Sequence, residues 1–246
     1  MPAFPFRRTA ALLLLLGASA AALAGPYETG STSTAKGLKF KSNVQLKHSA
    51  DKDTWVLPKI GVGGPLADNL ELSVGTGYGR IERTGGRSSE GLRDLSVGMK
   101  WRLLDERDGR PALAIGPSLN LPTGDRASGI GKGAYALSLP VRLSRRLGDF
   151  RVTGEASLQR TFGRDADQAG AGLLLEYVAQ PRWSCGIELV ADAPREDLGA
   201  RQLRLNVGAK QRIGRHLQWQ ALAGRTVDNP RGGRSSTVKL ALEYLL

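Results

Sequence analysis

The chain contains one cysteine, Cys185, and two histidines, His48 and His216, in 246 residues. A single thiol excludes an intramolecular disulfide framework. So few Cys and His, with no carboxylates at ligand spacing, give no tetrahedral metal site. Beyond the first two dozen residues no apolar run approaches the ~20 residues that a membrane-spanning helix needs. No helical apolar period recurs either. The 32 glycines follow no collagen-like or low-complexity repeat, so they read as turns and closely packed strands.

What is present begins with an export signal. Arg7 and Arg8 precede an apolar stretch from Ala10 to Ala22, and Ala22-Leu23-Ala24 has the small-x-small form of a cleavage site. Residues 1–24 therefore read as a signal peptide cut after Ala24. The polar stretch GPYETGSTSTAK (25–36) reads as a flexible periplasmic tail, and 37–246 as one β-barrel domain. The formal net charge of +12 would suggest nucleic acid in a cytosolic protein. Behind an export signal it points instead to lipid head groups and lipopolysaccharide.

The barrel reading rests on alternation. In SSTVKLALEYLL, Val238, Leu240, Leu242, Tyr244 and Leu246 fall on one parity, with Lys239 and Glu243 on the other. That is strand spacing. About twelve such segments fill 37–246, most of them about 11 to 15 residues long. Strands of soluble proteins average ~5–6 residues, and a tilted bilayer-spanning strand needs ~9–11. Tight connections such as GD (148–149) and GR (214–215) alternate with longer polar ones such as PTGDRASGIGKG (122–133). Outer-membrane barrels alternate in this way, with an even strand number that returns both termini to the periplasm. The expected fold is all-β: a transmembrane, antiparallel up-and-down barrel of about twelve strands.

Parity assigns the faces. The apolar face collects Phe40, Trp101, Phe150, Tyr177, Trp183, Trp219 and Tyr244 near the periplasmic ends, and Tyr78, Tyr135 and Phe162 near the outer ends. Two aromatic bands are what lipid interfaces produce, whereas a soluble sandwich would put aromatics mid-strand. The polar parity would line the lumen with Lys39, Lys41, Glu71, Lys100, Arg102, Arg142, Arg151, Glu155, Glu176, Glu188, Arg204, Lys210, Lys239 and Glu243. Two readings of these residues stay open: a solvated, salt-bridged supporting wall, or a selectivity ring built from a subset. The last strand should close against the first, setting Lys39, Lys41 and Lys47 on one wall with Glu243.

At this point GLRDLSVGMKWRLLDE (91–106), RPALAIGPSLNLPTGD (110–125), SLPVRLSRRLGDFRVTGEASLQR (138–160) and LRLNVGAKQRIGRHLQWQALAGRT (203–226) carry a resemblance. The sequence resembles the outer-membrane protein family catalogued as transporters of the phenol-degradation meta pathway, over about residues 55–246. The resemblance implies a β-barrel of the Gram-negative outer membrane that takes up small organic compounds, aromatic or hydrophobic. It brings no catalytic or ligand residues.

Other chemistry reads weakly. GIGKGA (129–134) is followed by a strand and not by a helix, so it is a mobile outer loop and not a phosphate cradle. His48 would sit at the outer end of the first strand, where a lipid-cleaving barrel would put a general base. Ser49 beside it points to the other face, however, and Ser42 is too far away. The outer-loop cations Arg83, Arg87, Arg126, Lys132, Arg195, Arg231 and Arg234 suit lipopolysaccharide phosphates or plain solvated loops. The expectation is a monomeric, non-enzymatic channel for passive uptake, without cofactor or metal. Its partners would be outer-membrane lipid, lipopolysaccharide and a small-molecule solute, with no nucleic acid. The alternatives are a closed structural or receptor-type barrel and, behind it, an outer-membrane acyl hydrolase.

Overall fold

The structure, a computed structural model, describes residues 25–246; the expected signal peptide, 1–24, lies outside the described residues. Twelve antiparallel strands follow one another around a closed barrel. They are β1 (Lys39–Ser49), β2 (Lys52–Ala67), β3 (Leu70–Arg83), β4 (Ser89–Leu92 and Leu95–Leu104), β5 (Ala112–Ile115 and Ser118–Leu121) and β6 (Ala136–Leu147). Then come β7 (Phe150–Thr161), β8 (Gln168–Tyr177), β9 (Trp183–Pro194), β10 (Gln202–Ile213), β11 (Leu217–Asp228) and β12 (Ser235–Leu245). Closure is complete: β12 pairs with β1 from Lys39↔Leu245 to Ser49↔Ser235, and the register sets Lys41 opposite Glu243. Lipid offers no hydrogen-bond partner, so a spanning sheet must leave no edge. Two strands are interrupted, β4 at Arg93-Asp94 and β5 at Gly116-Pro117. The ladder continues across the gaps through Arg93 N to Gly77 O at 2.8 Å and Met99 N to Pro117 O at 2.9 Å.

The connections on the side of both termini are mostly short, and those on the far side are longer. One departs from the expected alternation, because β1 and β2 are joined at the outer end by Ala50 and Asp51 alone.

The two faces are inverted relative to a soluble protein. Along β6 the inward residues Ala136, Ser138, Pro140, Arg142 and Ser144 are buried, while Leu137, Leu139, Val141 and Leu143 are exposed. Buried polar and charged residues outnumber buried apolar ones around the whole barrel, and Leu240 on the outer face is 58 % exposed. Such an apolar band is stable only against hydrocarbon. Phe40, Trp101, Phe150, Trp183 and Tyr244 project at one rim and Tyr78, Tyr135 and Phe162 at the other. Tyr177 packs between Phe150 and Trp183, with ring centroids 5.5 and 5.7 Å away.

One expectation is overturned. Residues 25–36 are not a free tail; they form a belt inside the barrel. Lys41 Nζ on β1 donates to Gly25 O at 3.4 Å, and Tyr27 Oη donates to Gly208 O on β10 at 2.8 Å. Glu28 N donates to Glu188 Oε2 on β9 at 3.1 Å, and Gly30 N to Glu155 Oε2 on β7 at 2.9 Å. Thr32 meets Ser144 on β6 at 2.6 Å, and Ala35 N reaches Glu71 Oε2 on β3 at 2.7 Å. The belt thus sweeps most of the inner circumference before turning into β1. Its Tyr27 ring, 2 % exposed, packs with Leu174 and Leu222, two inward-facing leucines that break the polar pattern.

Two in-strand glycines make room for it. A Cβ on Gly208 would lie 2.8 Å from Tyr27 Cε1, and one on Gly172 would lie 2.3 Å from Thr29 Oγ1. At Gly172 the crowding atoms all belong to Thr29, so the wall itself would tolerate a side chain there. Gly172→Val is therefore expected to eject the belt and leave the barrel closed. Protease cleavage within 25–36 should appear while heat-modifiable gel migration is retained; continued protection of the belt would refute the docking geometry.

Candidate functional site

The lumen is built by the inward parity of all twelve strands, and every one of the fourteen expected lining residues lies on that parity. Most are tied into pairs. Glu71 on β3 accepts from Lys39 at 3.0 Å and from the belt amide of Ala35, and forms an ion pair with Lys100 at 3.7 Å. Arg142 meets Glu155 at 2.5 Å, and Lys210 meets Glu176 at 2.6 Å. Lys41 donates to Gln220 Oε1 at 2.8 Å, and Gln220 Nε2 donates in turn to Glu243 at 3.4 Å. Arg102 pairs with Asp105 at 2.8 Å near the periplasmic rim. Arg151 and Lys239 are half-buried on the same wall.

Midway up the lumen Glu188 is fully buried, at 0 % exposure. It accepts from the backbone N–H groups of Glu28 and Thr29 and from Asn206 Nδ2 at 2.8 Å. A buried carboxylate is tolerable only when its oxygens are saturated in this way. Arg204 on β10 joins Glu28 of the belt to Asp192 of β9, both at 2.5 Å. The belt is thus held through its backbone donors by wall carboxylates and through Glu28 by a wall arginine.

Toward the outer end the lumen opens into a cavity of about 670 Å³, floored by Glu28, Asp192 and Arg204 and bordered by Lys47, Lys59 and Arg93. Glu28, Asp192, Lys59 and Arg93 lie outside the expected lining set. Lys59 follows a register shift between Val56 and Lys59 that switches the inward parity of β2, and Arg93 sits in the gap of β4. Counting alternate residues misses both. Leu174 and Leu222 carry a readable signal, being apolar on the polar parity.

The outer loop 122–135, whose GIGKGA segment (129–134) is expected to be mobile, folds inward. Asp94 accepts from Gly124 N at 3.0 Å and Lys132 N at 2.8 Å, and Ile130 is buried against Gly79. Burial, with Arg93 nearby, pushes the Lys132 ammonium down to about 8 against the opposing pull of Asp94. His48 Nδ1 meets Asp53 Oδ1 at 2.5 Å at the exposed outer rim, beside the hairpin. Among the described residues no group of three or more His, Cys, Asp or Glu could hold a metal.

The family model described as MetA-pathway of phenol degradation matches residues 24–240. The fold is similar to that of an outer membrane channel from Pseudomonas putida F1, with 16 % identity, TM-score 0.64, and coverage of 89 % of this chain and 97 % of that one. It is also similar to the NanC porin, with 8 % identity, TM-score 0.59 and coverage of 84 % and 100 %. The KdgM porin gives 10 % identity, TM-score 0.58 and coverage of 84 % and 99 %. No curated protein sequence matches the chain. At these identities the structures share the fold: a barrel of the Gram-negative outer-membrane type.

Two outcomes follow from this geometry. Glu188→Ala orphans the belt amides of Glu28 and Thr29, which should weaken belt docking by roughly 1–3 kcal/mol. Hydrogen exchange at those two amides measures it, and unchanged protection would contradict the assignment. For Lys132 the folded pKa is lowered, so the charged form opposes loop packing. Packing is weakest below about 8 and strengthens as pH rises toward the ordinary value of 10.5. Proteolysis of loop 122–135 should slow between about pH 8 and 10.5 in the native chain and stay flat in Lys132→Met.

Proposed function

The chain belongs to the MetA-pathway of phenol degradation family, and from that premise we propose that it is an outer-membrane channel for passive uptake of small organic compounds. The observation that carries this reading is the inverted barrel enclosing a polar, outward-facing cavity large enough for a small organic molecule. Solute enters from outside, is narrowed by the inward loop 122–135, and passes beside the belt along the charged wall. Lys39 and Lys100 border the lower part of that path and Lys239 the middle, while Glu71, Lys41, Glu188 and Arg204 lie buried against the belt. Diffusion down a gradient is the whole mechanism. A barrel of twelve strands encloses far less space than one of 16–18, which suits single small solutes over bulk flow.

A second reading, a closed structural barrel, has its own support in the belt, whose hydrogen bonds occupy much of the lumen. Liposome swelling with the full chain and with a variant lacking residues 25–36 separates the two. The channel reading expects uptake by the full chain and faster uptake by the variant. Uptake by the variant alone supports the closed barrel, and uptake by neither excludes a pore.

A further inference from the structure

The outer cavity is lined by five carboxylates, Glu28, Asp165, Asp167, Asp192 and Glu196, against seven lysines and arginines. On its β9–β10 side Glu28 and Asp192 both hold Arg204 at 2.5 Å, two carboxylates on one guanidinium. Lys47 on β1, Lys59 on β2 and Arg93 in the gap of β4 border the same space. Lys239 on β12 continues this wall, placed by its pairing with Gln45, another residue of the cavity lining. Among the described residues none of these four cations has a carboxylate oxygen within 4.0 Å, whereas Lys39, Lys100, Arg142, Arg204 and Lys210 all do. Asp94, next to Arg93, already accepts two loop amides. Lys59 stands within electrostatic range of both Arg93 and Lys239. Like charges gathered on a partly desolvated wall attract a mobile counter-ion from outside the fold.

The rest of the lining qualifies that ion. Val56 borders the cavity on the strand that carries Lys59, and Ala193 and Pro194 of β9 and Phe162 after β7 border it elsewhere. A chloride ion would use the charge and waste the apolar surface. A small organic carboxylate uses both, its carboxylate against Lys59 and Arg93 and its hydrocarbon body against Val56. The cavity, about 670 Å³, accommodates a molecule with one ring and its hydration. Building on the channel reading above, we propose that this cavity is a binding site for small organic carboxylates and that the pore prefers anions to cations.

The test uses the full chain, with benzoate as probe and benzyl alcohol as its uncharged counterpart. In detergent, calorimetric titration should show benzoate binding and none by benzyl alcohol. Lys59→Gln combined with Arg93→Gln should weaken binding roughly tenfold or more. The charge-preserving pair Lys59→Arg and Arg93→Lys should retain it, and heat-modifiable migration checks folding of both. In planar bilayers, the reversal potential under a potassium chloride gradient should have the anion-selective sign, and the Gln pair should move it toward zero. Conductance that is cation-selective, or selectivity and binding untouched by the Gln pair, overturns the carboxylate site and leaves the channel standing. Absent conductance with benzoate binding that the Gln pair abolishes overturns the channel and leaves the site. Absence of both overturns both.

Discussion

Everything in this molecule depends on one constraint: a peptide group facing hydrocarbon has nothing to bond to. The sheet must therefore close, as it does through the eleven-residue pairing of β12 with β1. Closure sends the apolar residues outward and leaves the charges facing one another across a narrow interior. A soluble protein would disperse these charges into water. Here Glu71, Glu155, Glu176 and Glu188 lie buried or nearly so, and each is satisfied by a cation, an amide or both. The chain's own N-terminal segment supplies several of those amides, so the belt completes the electrostatics of the wall.

The interior is consequently divided. Below and along β7–β10, carboxylates are satisfied by cations or amides and the belt occupies much of the space. Above, against β1, β2 and the gap of β4, space remains and cations predominate. The same sheet thus provides a solid half and an open half, and the difference lies in where the belt runs.

How much of this is legible in the sequence follows from what periodicity can carry. Alternation in segments such as Val238–Leu246 is a local property, so strand number, closure partners, girdles and the inward parity of residues such as Lys41 and Glu243 follow from counting. Parity fails where the backbone slips, and Lys59 and Arg93 lie at such places. The belt has no period at all. Its Gly, Ser and Thr composition matches that of a flexible tail, and its attachment uses backbone N–H groups that every sequence possesses. What marked it lay in the receiving wall: Leu174 and Leu222 on the wrong parity, and glycines at Gly172 and Gly208 in otherwise well-formed strands.

The course of the belt also bears on the order of assembly. Its contacts fall on β1, β10, β9, β7, β6 and β3, strands that become neighbours of a common interior only when the sheet has curled shut. A half-inserted sheet offers the segment at most a few of these sites, too few to offset the entropy of ordering a dozen residues. Residues 25–36 therefore meet their full set of partners only in the closed sheet.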